Sequence, residues 1–263
     1  MKKEKILINI EKLFDIEEYK KIGINNFLFA VDYFSIGYNS FKLDELKDLD
    51  CKKYLLINRI FNNDDVEKFK NIKEELKSFD GIIFEDIAVY NILKNSSINL
   101  IWNQTHFATN YSSINYWLNN LYSVVLSNEI TKEEVSDILE RVNKPVIVNV
   151  FGKNIVMYSR RKLLTNFNEH FKIENVNSVL LNESITNNKF DTFESEFGTL
   201  LFSDYFNIIN YLKYFNNDNI LYYLIYPKGL SIDVINNVIN GDNVNKYNDG
   251  FMNKKTIYKL GEK

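Results

Sequence analysis

Carboxylate, amide and imidazole side chains follow the predicted strands at the points where the strands end. Glu85 and Glu129 are the two that could act as general acid or base if burial raised their pKa values. The other polar residues at these points are predicted to contact substrate, and they are Asn58, Arg59, Asp86, Asn103, Gln104, His106 and Asn128. Each of them could instead cap the helix that follows. For the ring as a whole we favour a binding site.

Standard catalytic motifs do not accompany these residues. The chain contains no HExxH, GxSxG, Walker or GxGxxG pattern. Its two histidines, His106 and His170, and its one cysteine, Cys51, form no recognisable nucleophile–base pair or metal-ligand set along the chain. No metal site is therefore predicted. The residues alone leave open whether the chain is itself an enzyme.

The elements that would position the ring are short aliphatic runs alternating with amphipathic segments. These runs begin with KILINI at 5–10 and NFLFAV at 26–31 and end with PVIVNV at 145–150 and ILYYLIY at 220–226. Eight such runs separated by helix-like segments favour an α/β fold, a (β/α)₈ TIM-type barrel. The carboxyl ends of barrel strands meet at one mouth, which is where the polar ring would lie.

The regular spacing stops after the seventh strand. Residues 151–219 separate it from the eighth, and they include a helix-like SRRKLLTNFNEHF segment followed by short β-like runs. We therefore expect one barrel domain over 1–263, with a small antiparallel β insertion, including a helix, at 153–203 before the last strand.

Composition excludes several classes of protein. Lys+Arg 32 against Asp+Glu 35 leaves a net charge of −3, which argues against a general nucleic-acid coating protein. One cysteine excludes an internal disulfide framework and an all-cysteine metal site built by this chain alone. No apolar run approaches the ~18 residues of a membrane span, and the N-terminus becomes acidic too early for a signal peptide. We expect a cytoplasmic protein without a membrane segment.

Several motifs together resemble those of the collagenase-like peptidase family, peptidase family U32. The central one is VVLSNEITKEEVSDILERVNKPVIVNVFGKNIVMYSRRKLLTNF at 124–167. LIWNQTHFATNYSSINYW precedes it, and ESEFGTLLFSDYFNIINYL and GFMNKKTIYKL follow it in the family's order. The resemblance extends from about Phe27 to the end of the sequence.

The resemblance implies either proteolysis or oxygen-independent hydroxylation. Besides peptidases, the family includes proteins that hydroxylate RNA bases or the ubiquinone ring with an iron–sulfur cluster held by four cysteines. The RNA-modifying members are linked to prephenate, and several members work as unequal paralogue pairs, including one that hydroxylates the wobble uridine of tRNA. This chain departs from that pattern, because Phe151 replaces a family histidine and Ile155 and Lys162 stand where two cluster cysteines would. We expect no cofactor in this chain and the cluster on a partner paralogue.

Three hypotheses follow from the resemblance. The first is a small paralogue without the cluster that assists tRNA wobble-uridine hydroxylation beside a larger cysteine-bearing partner. Lys153, Arg160, Arg161 and Lys162 would then contact tRNA phosphates. The second is a collagenase-like peptidase that activates water through Glu85, Asp86 or Glu129. The third is a catalytically degenerate barrel that acts as a binding protein.

Overall fold

Eight of the apolar runs form parallel strands that close into a barrel. The computed structural model describes residues 1–104, 106–184, 188–242 and 246–254. The barrel strands are β1 (Ile6–Asn9), β2 (Asn26–Val31), β4 (Lys52–Ile57), β5 (Gly81–Phe84), β6 (Asn99–Asn103), β7 (Ser123–Val125), β8 (Val146–Gly152) and β14 (Ile220–Tyr226). β1 pairs with both β2 and β14, which closes the ring. The predicted TIM-type barrel is confirmed.

Helices surround the barrel, as the amphipathic segments predict. They are α1 (Asp15–Lys21), α2 (Leu43–Leu46), α3 (Asn63–Asn71), α4 (Ile87–Leu93), α5 (Tyr111–Leu118), α6 (Lys132–Arg141) and α8 (Ile232–Asn240). α6 begins with a capping box in which Thr131 accepts from the Glu134 N–H and Glu134 accepts from the Thr131 N–H. Short 3₁₀ helices lie at Lys3–Lys5, Glu75–Ser78, Ile209–Tyr214 and Asn217–Asn219. Within the described ranges, no helix has the length and apolar character needed to cross a membrane.

The strands are buried on both faces because alternate side chains face the barrel axis and the helices. The inward cluster is formed mainly by Leu7, Leu28, Ala30, Leu56, Ile83, Ile101, Val125, Ile147 and Leu224. The outward side chains, such as Phe27, Phe29 and Phe84, join the larger apolar cluster that the helices cover. This double burial explains the near-continuous apolar runs of the sequence.

A second, antiparallel sheet lies between β8 and β14 in the chain. It consists of β9 (Ile155–Ser159), β10 (Ser178–Asn182), β11 (Lys189–Ser195) and β12 (Gly198–Phe202), in the order β10-β11-β12-β9. α7 (Leu163–Phe171) connects β9 to β10, and β13 (Phe206–Asn207) pairs antiparallel with β8. β3 (Ser40–Phe41) extends the barrel sheet beside β2.

The antiparallel sheet packs against the carboxyl end of the barrel. Leu200 and Phe202 of β12 are fully buried and cluster with Ile36 from the loop after β2. The Phe202 ring contacts the Tyr38 ring at a centroid distance of 5.9 Å. The sheet therefore covers part of the barrel mouth, where the sequence places its polar ring.

Candidate functional site

A layer of polar side chains lies above the apolar interior of the barrel. Each member comes two positions after an apolar residue that points into the barrel. Because side chains alternate between the two faces of a strand, each member also points into the barrel. Glu85 follows Ile83, for example, and Asn149 follows Ile147. By this alternation the layer comprises Asn9, Asn58, Glu85, Asn103, Ser127, Asn149 and Tyr226.

Glu85 is the titratable centre of this layer. Burial raises the pKa of its carboxyl group to about 8. The Asn103 amide lies 3.4 Å from the carboxylate, and the Gln104 amide lies 3.5 Å from the Glu85 backbone carbonyl. At neutral pH the carboxyl group therefore holds a proton that it could donate to a bound molecule.

Two tyrosines lie on the same side of the barrel. The rings of Tyr38 and Tyr226 stack at a centroid distance of 4.9 Å. Burial raises the pKa of both phenols, and Glu85 raises them further once it is ionised. Both hydroxyls therefore remain protonated and can donate hydrogen bonds. Together with Glu85, they make this part of the barrel mouth a source of protons rather than an anionic site.

Several buried acceptors in or beside the layer have no hydrogen-bond partner among the described residues. They are Oδ1 of Asn9, Oδ1 of Asn149 and Oε1 of Glu11. The amide group of Asn149 itself is anchored, because its Nδ2 donates to Asn154 Oδ1 at 2.7 Å. Buried acceptors without partners are costly, so these atoms suit a molecule or water that donates hydrogen bonds.

Asn58 and Asp86 form hydrogen bonds with the backbone of loops at the mouth. Asn58 accepts a hydrogen bond from the Ile36 N–H at 2.9 Å and donates one to the Ile36 carbonyl at 3.0 Å. Asp86 caps α4 by accepting from the Ala88 N–H, and it also accepts from the Phe61 N–H, both at 2.8 Å. The polar atoms of both residues are used within the fold, and Asp86 caps the helix that follows it.

Arg59 is enclosed by the protein. It is buried, forms an ion pair with Asp65, and lies between the Tyr33 and Phe197 rings at 4.2 and 4.1 Å. Phe197 belongs to the turn between β11 and β12, so the arginine links the barrel to the antiparallel sheet. Arg59, which the sequence predicts to bind substrate, therefore makes packing contacts within the protein.

His106 and Glu129 form a separate group at the edge of the mouth. Both are exposed, and His106 Nδ1 lies 3.2 Å from Glu129 Oε2. Asn128 and Glu129 line an open cleft of about 340 Å³ between the barrel and the antiparallel sheet. Asn154, Phe190 and Asp204 line its other side. The cleft is large enough for a small polar ligand.

The remaining predicted contacts lie on the antiparallel sheet and its connections. Arg160 and Arg161 are exposed between β9 and α7. Lys153 forms an ion pair with Asp191, so its charge is already matched. The structure thus divides the predicted ring into Glu85, Asn103 and Gln104 inside the mouth, His106, Asn128 and Glu129 at its edge, and the arginine pair beyond it.

The residues present do not fit a four-thiolate iron–sulfur cluster. Ile155, where the first cluster cysteine would stand, packs with the apolar residues beneath the antiparallel sheet, and Lys162 is exposed. Cys51 is the one cysteine of the chain, and burial raises the pKa of its thiol. Across the described ranges, no three His, Cys, Asp or Glu side chains are grouped so that they could hold a metal ion.

Sequence reasoning missed Asn149 of the polar layer and Tyr38 beside it. Asn149 lies inside the VIVNVFG strand, and Tyr38 reaches the mouth from a loop. Counting alternate positions from Ile147 would have identified Asn149. No local signal marks Tyr38, because its position depends on contacts with β12 and β14.

Comparison with known proteins identifies a family match. The model of peptidase family U32 matches residues 34–176, which is more than half of the chain. The tRNA hydroxylation protein P2 of Bacillus subtilis (strain 168) is 27% identical over 165 residues, covering 58% of this chain and 53% of that protein. The chain therefore spans about half the length of the curated relative it matches.

The matches to solved structures are more distant. The spore cortex-lytic enzyme SleL of Bacillus cereus aligns with a TM-score of 0.46 at 10% identity, covering 92% of this chain and 75% of that one. A chitinase from Chromobacterium violaceum aligns with a TM-score of 0.46 at 9% identity, covering 89% and 98%. Similarity at this level does not indicate shared chemistry.

Proposed function

This chain belongs to peptidase family U32, and we propose that it serves in tRNA wobble-uridine hydroxylation as a subunit without an iron–sulfur cluster. The observation that carries the proposal is its similarity to the tRNA hydroxylation protein P2 of Bacillus subtilis. The one cysteine of the chain cannot provide four thiolates, so a larger cysteine-bearing family member would carry the redox chemistry.

The chain would contribute a binding site at the barrel mouth. Glu85 would supply a proton or a hydrogen bond to a small molecule or nucleotide, with Asn103 orienting its carboxyl group. Asn9 and Asn149 would accept hydrogen bonds from the same molecule. The apolar surface of β12 would exclude water from this site.

The test is mass spectrometry of tRNA nucleosides from three strains that lack any redundant hydroxylase. One strain carries the gene, one lacks it, and one has it restored. We expect 5-hydroxyuridine and its derivatives to fall on deletion and to return on restoration. Unchanged nucleosides after deletion would refute the proposal.

The requirement for a partner is tested in the same background. Deleting the larger cysteine-bearing family member should give the same loss of modified nucleosides, and this chain should co-purify with that member. A chain that supports modification when the larger member is absent would refute the role of a non-cluster subunit.

A second candidate function rests on the pairing of His106 with Glu129 beside the open cleft. A carboxylate and an imidazole in contact could activate water for peptide hydrolysis. This function predicts cleavage of casein or denatured collagen by the purified chain and its loss in Glu129→Gln. If neither modification nor cleavage is found, the remaining interpretation is a barrel that binds without catalysis.

A further inference from the structure

Arginine is scarce in this chain, and its four copies fall into two classes. Arg59 pairs with Asp65, and Arg141 pairs with Asp137 at 2.8 Å. Arg160 and Arg161 are exposed, and neither forms an ion pair with a residue that the structure describes. Lys162 follows them and is likewise exposed without such a pair. Three adjacent cations thus lack an anionic partner in the described part of the chain.

The backbone that carries these cations is held in place from beneath. The Thr199 hydroxyl accepts from the Leu163 N–H at 2.9 Å and lies 2.8 Å from both the Arg161 carbonyl oxygen and the Glu194 carboxylate, to one of which it donates. Glu194, also buried, accepts from the Leu164 N–H at 2.8 Å and the Thr165 N–H at 3.2 Å. These contacts occupy the first N–H groups of α7, so any anion here must bind the cationic side chains.

The solvent face of α7 carries three large apolar side chains beside the exposed Asn166, Glu169 and His170. Leu163, Phe167 and Phe171 recur at intervals of four and are 38%, 54% and 58% exposed. The Phe167 and Phe171 rings lie 4.6 Å apart between centroids, whereas the Asn168 side chain is buried. Large side chains exposed together on one helix face are unusual on a monomer and are typical of a binding surface.

We propose that this face binds a single-stranded segment of RNA, with Arg160, Arg161 and Lys162 contacting phosphates and Phe167 and Phe171 stacking against bases. We call these five residues the α7 surface. Unmatched cations beside exposed aromatic rings are the combination by which proteins hold unpaired nucleotides. The inference deepens the proposed function, on which it rests, by assigning the part of this chain that holds the RNA.

The test uses the full chain and a short fluorescein-labelled single-stranded RNA, with binding measured by fluorescence anisotropy over a range of salt concentrations. Arg160→Ala/Arg161→Ala should raise Kd about tenfold at low salt. It should also reduce the slope of log Kd against log salt by ~1.4, since each phosphate contact on a single strand contributes ~0.7. Arg160→Lys/Arg161→Lys should restore the slope because both charges remain.

The aromatic residues are tested separately. Phe167→Ala/Phe171→Ala should raise Kd at least tenfold and leave the salt slope unchanged, because stacking on a ring contributes affinity without releasing counterions. Lys52→Ala/Lys94→Ala removes two exposed cations elsewhere on the barrel, and Tyr116→Ala removes an exposed ring. Both controls should bind RNA like the wild-type chain. Far-UV circular dichroism checks that every variant is folded.

Two results would overturn the inference. One is α7-surface variants that bind RNA with the wild-type Kd and slope. The other is variants that bind RNA normally but no longer co-purify with the larger family member, which would make the face a protein-docking surface. Nucleoside analysis separates this failure from failure of the proposed function. If the variants restore modification in the deletion strain, the α7 surface is excluded while the proposed function stands.

Discussion

The carboxyl group of Glu85 lies on the inward side of β5, two residues beyond Ile83 and beneath the antiparallel sheet. An exposed glutamate would be ionised at neutral pH. Here burial raises the pKa to about 8, and the carboxyl group accepts a hydrogen bond from the neutral amide of Asn103. One acidic residue is thereby converted into a proton donor by its position alone.

Glu85→Gln should change how stability depends on pH. In the wild-type chain, the folded state keeps the proton up to about pH 8, whereas the unfolded state loses it near pH 4. Between these values the unfolded state binds fewer protons, so the free energy of unfolding falls as pH rises, by at most ~1.4 kcal/mol per pH unit. Glutamine cannot ionise, so the variant's stability relative to wild type should grow up to about pH 8 and then level off.

The measurement is urea denaturation of both proteins from about pH 5 to about pH 9. Glu133→Gln, which removes an exposed carboxylate on α6, provides the matched control. A stability difference between Glu85→Gln and wild type that stays constant over the whole range would show that Glu85 is already ionised in the folded chain.

At the scale of elements, α7 is positioned by contacts from two neighbouring strands. Glu194 of β11 lies at its N-terminus. Burial raises the pKa of the Glu194 carboxyl group, but hydrogen bonds from Thr165, Thr199 and the backbone lower it by more, so the pKa is below its ordinary value. Gly198 begins β12 with φ of +125° and passes close to the Ser159 carbonyl. The α7 surface therefore depends on residues outside the helix.

Gly198→Ala should displace the strand backbone that positions α7. An added Cβ would lie 2.1 Å from the Ser159 carbonyl oxygen, and the backbone conformation itself disfavours a side chain by about 1–3 kcal/mol. We expect a lower free energy of unfolding in urea and weaker RNA binding. Gly241→Ala is the matched control, because φ is +92° there but no atom lies within 4 Å of the added carbon. Equal losses in the two variants would show that the close approach at Ser159 contributes nothing.

At the scale of the whole molecule, the barrel and the antiparallel sheet share a small apolar contact. It is centred on Leu200, Phe202 and Ile36, with Tyr38 beside them. Arg59 adds a second link by lying against Phe197. The sheet thus covers part of the mouth, and the same segment of chain carries α7.

Phe202→Ala should weaken the contact between the antiparallel sheet and the barrel. Loss of this fully buried ring is expected to cost about 3–5 kcal/mol. Limited proteolysis should then cut within residues 153–203 before the barrel is cleaved. Phe84→Ala, in the outer core of the barrel, removes an equally buried ring without touching the sheet and should not favour those cuts. The same cleavage pattern in both variants would contradict a contact that specifically holds the sheet to the mouth.

The sequence by itself determined the barrel and the order of its strands. Runs such as NFLFAV and ILYYLIY are buried on both faces, and local composition is enough to reveal a strand of that kind. The family motifs and the lack of cluster cysteines can likewise be recognised from short stretches of the sequence. Glu85, Asn103 and Gln104 could be grouped because strand ends of a parallel barrel must meet.

Only the tertiary structure decided what the polar residues do. Arg59 lies between the Tyr33 and Phe197 rings, and Lys153 pairs with Asp191, through contacts between segments far apart in the chain. Phe206–Asn207 form β13 by pairing with β8, a strand more than 50 residues earlier in the chain, and a 3₁₀ helix follows at Ile209–Tyr214. Charge, burial and pKa depend on what surrounds a side chain, and that is set when distant segments pack together.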